Sequence, residues 1–189
     1  MKTLPIASAL ALALAAPAAF ADRDRVQVRL TGFQEVPAVS TVASGTLEVD
    51  IHRDGQGFDW VLSYSGLQGS VQQAHIHFAQ KSVNGAIVVW LCGTGVPPAP
   101  LAGPAGTATC PASGTVSGTA LNANVGPGSA TQQLTAGEAT AIEEVIAAIR
   151  AGVAYGNVHT TISPGGEIRG QFGRNRGRGH DDDHGHHQH

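Results

Sequence analysis

The chain has little charge. Of its 189 residues only 13% are Asp, Glu, Lys or Arg, and the formal charge is −3. Its one basic run, Arg174, Arg176 and Arg178, is followed directly by Asp181, Asp182 and Asp183, which excludes a broad nucleic-acid surface. Aromatic residues are equally scarce at 5%, whereas there are 25 glycines, a balance that fits a turn-rich β-protein better than a helical bundle or a disordered chain. Past residue 21 no apolar run is long enough to span a membrane. Several catalytic signatures are missing too: no G-x-S-x-G elbow, no P-loop, no H-E-x-x-H, and no third cysteine to serve as a nucleophile beside a bridged pair. Gly93-Thr94-Gly95 lies in a proline-rich stretch and opens no helix, so it carries no nucleotide signal.

The first segment is the exception to the lack of long apolar runs. Lys2, the apolar stretch from Leu4 to Phe20 and the closing Ala19-Phe20-Ala21 have the order of a secretory signal peptide cleaved after Ala21. Three regions are therefore expected: a signal peptide at 1–21, one domain at 22–173, and a tail at 174–189 with no apolar residues to bury. The destination is the periplasm or the outside of the cell. That oxidising context favours a disulfide between Cys92 and Cys110 over two free thiols. Closing that loop, which holds Pro97, Pro98, Pro100 and Pro104, stabilises by about 3 kcal/mol in the chain-entropy model.

Alternating apolar residues predict strands at Arg25–Thr31, Gly45–Ile51, Phe58–Tyr64 and Val71–Phe78. A fully apolar run at Ala86–Leu91 predicts a buried strand, and further strands are expected at Ser113–Leu121, Tyr155–Thr161 and Glu167–Phe172. Asp54-Gly55, Asn84-Gly85 and Ser163-Pro164-Gly165-Gly166 mark the turns. One helix is predicted, with Thr135 and Glu138 as a capping box, Ile142, Val145, Ile146 and Ile149 as its apolar stripe, and Gly152 as its stop.

The chemistry concentrates on histidine. In Ala74-His75-Ile76-His77-Phe78 the two imidazoles share one face of a strand, and His159 lies on another. Three converging neutral imidazoles suit copper or zinc, with copper the preferred reading. The alternative is polar residues on a solvated sheet face. If Val158 and Ile168 both enter the core, Asn157 and His159 fall on the same side as Glu167 and Arg169. Glu167, Arg169 and Asn157 are then the candidates for orienting the ligands, Glu167 by holding His159, unless Glu167 and Arg169 form a plain cross-strand network. Glu35 is read as a loop anchor and His52 as a surface residue. In the tail, His180, His184, His186, His187 and His189 with three aspartates offer a second, weaker metal-capturing segment.

Several motifs occur in order: Thr31-Gly32-Phe33-Gln34-Glu35-Val36-Pro37, Ala43-Ser44-Gly45, Tyr64-Ser65-Gly66-Leu67, Ala74-His75-Ile76-His77, and Gly156-Asn157-Val158-His159-Thr160 with Pro164 and Gly166-Glu167-Ile168-Arg169-Gly170-Gln171. Together they resemble the CHRD domain, a module of chordin and of many bacterial exported proteins, over roughly Val26 to Phe172. The resemblance implies an immunoglobulin-like or superoxide-dismutase-like β-sandwich or barrel, here with one amphipathic helix. It implies no assigned activity: chordin's domains sit in an extracellular growth-factor antagonist, and most bacterial members have none. The Ala-His-x-His strand also looks like the copper strand of Cu/Zn superoxide dismutase, without that enzyme's bridging histidine and zinc ligands. Three functions follow. The leading one is a non-enzymatic binding protein with a copper site at His75, His77 and His159. The others are a dismutase-like copper redox enzyme and a metal-free adhesive or protein-interaction domain. The partner, protein or metal, stays unidentified, and nucleic acid is not expected.

Overall fold

The computed structural model describes residues 24–94, 101–126, 132–134 and 138–173. Segment 1–21, read above as a signal peptide, and the tail 174–189, with its five histidines, lie outside the described residues. Nine strands form among the described residues: β1 Asp24–Thr31, β2 Ser44–Ile51, β3 Gly57–Ser65, β4 Val71–Phe78, β5 Ala86–Gly93, β6 Ala108–Thr109, β7 Gly114–Leu121, β8 Ala154–Thr160 and β9 Ile168–Gln171. They hydrogen-bond in the order β6-β5-β4-β8-β9-β1-β2-β3-β7. The end strands β5 and β6 approach β7, so the sheet curls into a nearly closed barrel. The mainly β expectation holds.

Alternation explains the register. In β1, Val26, Val28 and Leu30 are buried and oppose Val49, Leu47 and Gly45 of β2. In β3, Phe58, Trp60, Leu62 and Tyr64 point inward. The β2–β3 link turns at Gly55, whose φ of 71° is open to glycine at no steric cost. β5 departs from its expectation. It carries two irregularities against β4, and Ala86, Ile87 and Trp90 are only half-buried. The short β6, paired in parallel with Cys92–Gly93, was not anticipated. The Cys92–Cys110 disulfide is formed, with sulfurs 2.05 Å apart, and ties β5 to the residue after β6.

The helix starts later than the capping-box pattern implies. α1 spans Ala141–Ala151 with Thr140 at its N-cap, and Thr135 lies outside the described residues. No side chain of the helix's own cap residue bonds its free N–H groups. Asn122 does so from across the fold: its Oδ1 accepts from Ile142 N–H at 3.1 Å and its Nδ2 donates to the Glu138 carbonyl at 2.7 Å. A tertiary contact replaces the local cap. The apolar stripe and the left-handed stop at Gly152 are as expected, and Ile142, Val145, Ile146 and Ile149 are buried.

Two glycines set the site-bearing strands against the core. Gly156 of β8 pairs with Gly170 of β9. A Cβ on Gly156 would sit 2.6 Å from a Leu47 methyl, and one on Gly170 would sit 2.8 Å from a Val28 methyl and 2.6 Å from the Arg29 carbonyl. The core therefore presses on bare backbone there. Val158 and Ile168 pair directly and are fully buried, which sends Asn157 and Arg169 to the opposite face.

Candidate metal centre

That opposite face would be the wet side of an open sheet, yet it is buried. His75, His77, Asn157, His159 and Arg169 are all buried beneath the β4–β5 and β8–β9 connections. Register brings them together: His75 pairs with Asn157, His77 with Tyr155, and Gln73 with His159. Both irregularities between β4 and β5 flank the histidines, at Ala74/His75 and Ile76/His77. Bulges of this kind re-aim side chains beside functional sites.

The three imidazoles form one cluster. Ring centroids are 5.4 Å apart for His75–His77, 5.0 Å for His75–His159 and 6.2 Å for His77–His159. One ring nitrogen from each lies within 4.8 Å of the others. Two imidazole nitrogens on a single ion at 2.0–2.1 Å can be at most about 4.2 Å apart, so binding an ion would draw the cluster together. It is the only such group of three or more potential ligands among the described residues.

Hydrogen bonding decides which nitrogens are free. His77 Nδ1 donates to the Gly85 carbonyl at 3.0 Å, and His159 Nδ1 donates to the Pro164 carbonyl at 2.9 Å. Each neutral ring then keeps its proton on Nδ1 and offers the Nε2 lone pair. Nε2 of His77 has no partner, and His75 has none on either nitrogen. Nε2 of His159 lies 3.0 Å from Asn157 Oδ1. With Nδ1 donating to Pro164, a lone pair faces an acceptor oxygen there unless the Asn157 amide turns its N–H toward the ring.

Electrostatics keep the rings neutral. Burial, followed by the proximity of His159 and His77, pushes His75 down to about 2. Burial brings His77 to about 4 against the opposing Gly85 hydrogen bond, and burial also lowers His159 against its Pro164 bond. Three buried, unprotonated imidazoles, His75 and His77 with unpartnered nitrogens and His159 facing Asn157, suit a first-row metal ion that takes nitrogen ligands.

Aromatic packing fixes the ring planes. The His75 ring meets Trp90 edge-on at 4.3 Å, and His77 stacks on Tyr155 at 4.7 Å with planes 1° apart. The Arg169 guanidinium lies 3.3 Å from the Tyr155 centroid. The Tyr155 hydroxyl accepts from Gly85 N–H at 3.3 Å, so Gly85 contacts both stacked rings. Tyr155 could have been singled out beforehand, since it alternates with Asn157 and His159 along β8. Trp90, Gly85 and Pro164 could not, because turn closure and the β5 irregularities bring them in.

The expected supporting residues part company. Asn157 does touch His159. Glu167 does not: it immediately precedes β9 after Gly166 at φ 125°, and its carboxylate accepts from Thr41 Oγ1, Gln68 N–H and Thr160 Oγ1, each at 2.8 Å. Thr160 has the opposite parity to His159, which puts that carboxylate away from the ring. Burial raises the Glu167 pKa, but these bonds outweigh it and the net shift is downward. Glu167 clamps three loops. Nor does Arg169 pair with Glu167; it donates to Asn84 Oδ1, the Val83 carbonyl and Gln171 Oε1. His52 is partly exposed beside Asp59, 3.4 Å away, apart from the cluster.

No curated protein and no solved structure matches this chain. The CHRD domain family matches residues 26–172, from the third residue of β1 to just past the end of β9. Since the matched span covers β1 from Val26 onward, the other eight described strands and all three clustered histidines, the chain is a member of the CHRD domain family.

Proposed function

We propose that this protein is an exported, non-enzymatic metal-binding module of the periplasm or cell exterior, holding one copper ion on His75, His77 and His159. The observation that carries this reading is the set of buried ring nitrogens without partners, two on His75 and one on His77, facing a third imidazole. A buried polar group without a hydrogen bond costs about 1–3 kcal/mol, and native interiors rarely keep one unless something else satisfies it. His77 and His159 are each oriented through Nδ1 by a backbone carbonyl, the usual support for a ligating histidine. A bound copper ion would supply Lewis acidity and one-electron chemistry. The chain itself supplies neutral ligands, fixed ring planes and a buried setting. The histidines of the tail, 180 to 189, are proposed as a separate, weaker capture segment.

The test uses protein ending at residue 173, which keeps every described element, so that the tail cannot take up metal. One equivalent of Cu(II) with imidazole-nitrogen hyperfine structure is expected, and His75→Ala and His77→Gln should each abolish it. Unchanged uptake in both variants, with the fold verified by circular dichroism, overturns the site. Superoxide turnover by the loaded protein would move the reading to a dismutase-like enzyme.

A further inference from the structure

A second feature lies on the far side of Tyr155. Arg169 is 1% exposed and so is a buried cation, yet no carboxylate among the described residues lies within ion-pair distance of it. Its acceptors are all neutral: Asn84 Oδ1, the Val83 carbonyl and Gln171 Oε1. Those three bonds leave two of the five guanidinium N–H donors uncommitted among the described residues. Buried charges are ordinarily neutralised by a partner, because desolvating them alone is expensive.

The same guanidinium lines a cavity of about 160 Å³ together with Phe33, Glu35, Lys81, Ser82 and Gln171. Lys81 is exposed at its edge and has no ion-pair partner among the described residues. Phe33, 79% exposed, presents a free aromatic ring at the same opening. Glu35 is the one acidic side chain in the wall. Its Oε1 is buried without a partner, and burial pushes it up to about 7 despite the nearby Arg169 charge. Below that pH its carboxyl is neutral and leaves Arg169 uncompensated.

We propose that this cavity is an anion site that binds a small organic carboxylate, with the carboxylate between Arg169 and Lys81 and the apolar body against Phe33. A guanidinium's planar fork matches a carboxylate's two oxygens, a lysine at the edge adds a point charge, and an aromatic face adds selectivity for an apolar substituent. The site is distinct from the histidine cluster and needs no metal.

The two tyrosines make it testable in the full chain after chelator treatment. Tyr155 lies directly beneath Arg169, whereas Tyr64 is bonded to the Pro111 carbonyl elsewhere in the barrel and serves as an internal reference. Sodium benzoate should shift the Tyr155 ring proton resonances saturably and leave Tyr64 unmoved. Acetate, with no apolar body, should bind more weakly. Lys81→Gln should weaken benzoate about tenfold, and Phe33→Ala should reduce it to the acetate level; both side chains are exposed, so the fold stands without them. No saturation by about 10 mM benzoate, or affinity unchanged in both variants, overturns the proposal. Inorganic phosphate binding as tightly as benzoate and indifferent to Phe33→Ala overturns the assignment to a carboxylate.

Discussion

An imidazole buried with neither nitrogen hydrogen-bonded has no structural reason to be one. His75 is fully buried, touches Trp90, His77 and His159, and finds no donor or acceptor. A leucine there would remove unsatisfied polar atoms at roughly similar volume. Glu167 shows the contrast: its carboxylate is equally buried and has three donors, so the protein can satisfy such groups where the role is structural. His75→Leu is therefore expected to leave the metal-free protein as stable as the parent, or more stable by about 1 kcal/mol, while losing the metal-induced rise in melting temperature. Paired denaturant titrations with and without Cu(II) check both halves. A clear loss of metal-free stability would mean that the imidazole is held for packing.

At the scale of elements, the site-bearing parts of β4, β8 and β9 were legible because Ala74, Ile76 and Phe78, Gly156 and Val158, and Ile168 and Gly170 alternate with polar residues, and the pairing of Val158 with Ile168 follows from parity once the hairpin forms. So was the convergence of His75, His77 and His159. The tautomers were not, since the carbonyls of Gly85 and Pro164 that set them lie at turns whose path the alternation does not encode. Glu167 departs from its expectation because it lies one residue outside the strand, beside a glycine with positive φ, where strand parity no longer holds. The helix shows the same boundary between local and distant information. Thr135 and Glu138 have capping-box spacing, but α1 begins at Ala141 and is capped by Asn122 from elsewhere in the chain. Asn122→Ala should cost about 1 kcal/mol in a urea titration, and Asn122→Asp should recover only part of it, because a carboxylate accepts from Ile142 N–H but has no N–H for the Glu138 carbonyl. Equal stability of parent and Asn122→Ala would show that the helix end does not depend on that contact.

Over the whole molecule, buried groups of opposite behaviour shape the response to pH. His75 and His77 are held at about 2 and about 4 in the fold against 6.5 unfolded, chiefly by burial. Their neutral burial is fully compatible with folding above pH 6.5 and becomes destabilising as pH falls toward 4, where the unfolded chain takes up protons that the folded one refuses. Glu35 runs the other way. Burial raises it from 4.5 to about 7, so the folded state binds its proton first; that contribution is present below pH 4.5 and is lost as pH rises through 7. Between pH 6.5 and 4.5 the two histidines outweigh the single carboxyl, and each net proton is worth about 1.4 kcal/mol per pH unit. Metal-free protein should accordingly be most stable near neutrality and lose stability on acidification. Below pH 4.5 the loss should steepen, where Glu167, lowered in the fold by its three donors, also begins to be protonated. Glu35→Gln removes the opposing group: the variant should gain stability over the parent at pH 8 and fall more steeply between pH 6.5 and 5. Urea midpoints at pH 8, 6.5 and 5 on chelator-treated parent and variant read both signs. A parent midpoint that stays flat from pH 7 to 5 would mean that the histidines protonate within the fold, and the cluster would then be too wet to hold its lone pairs ready for a metal.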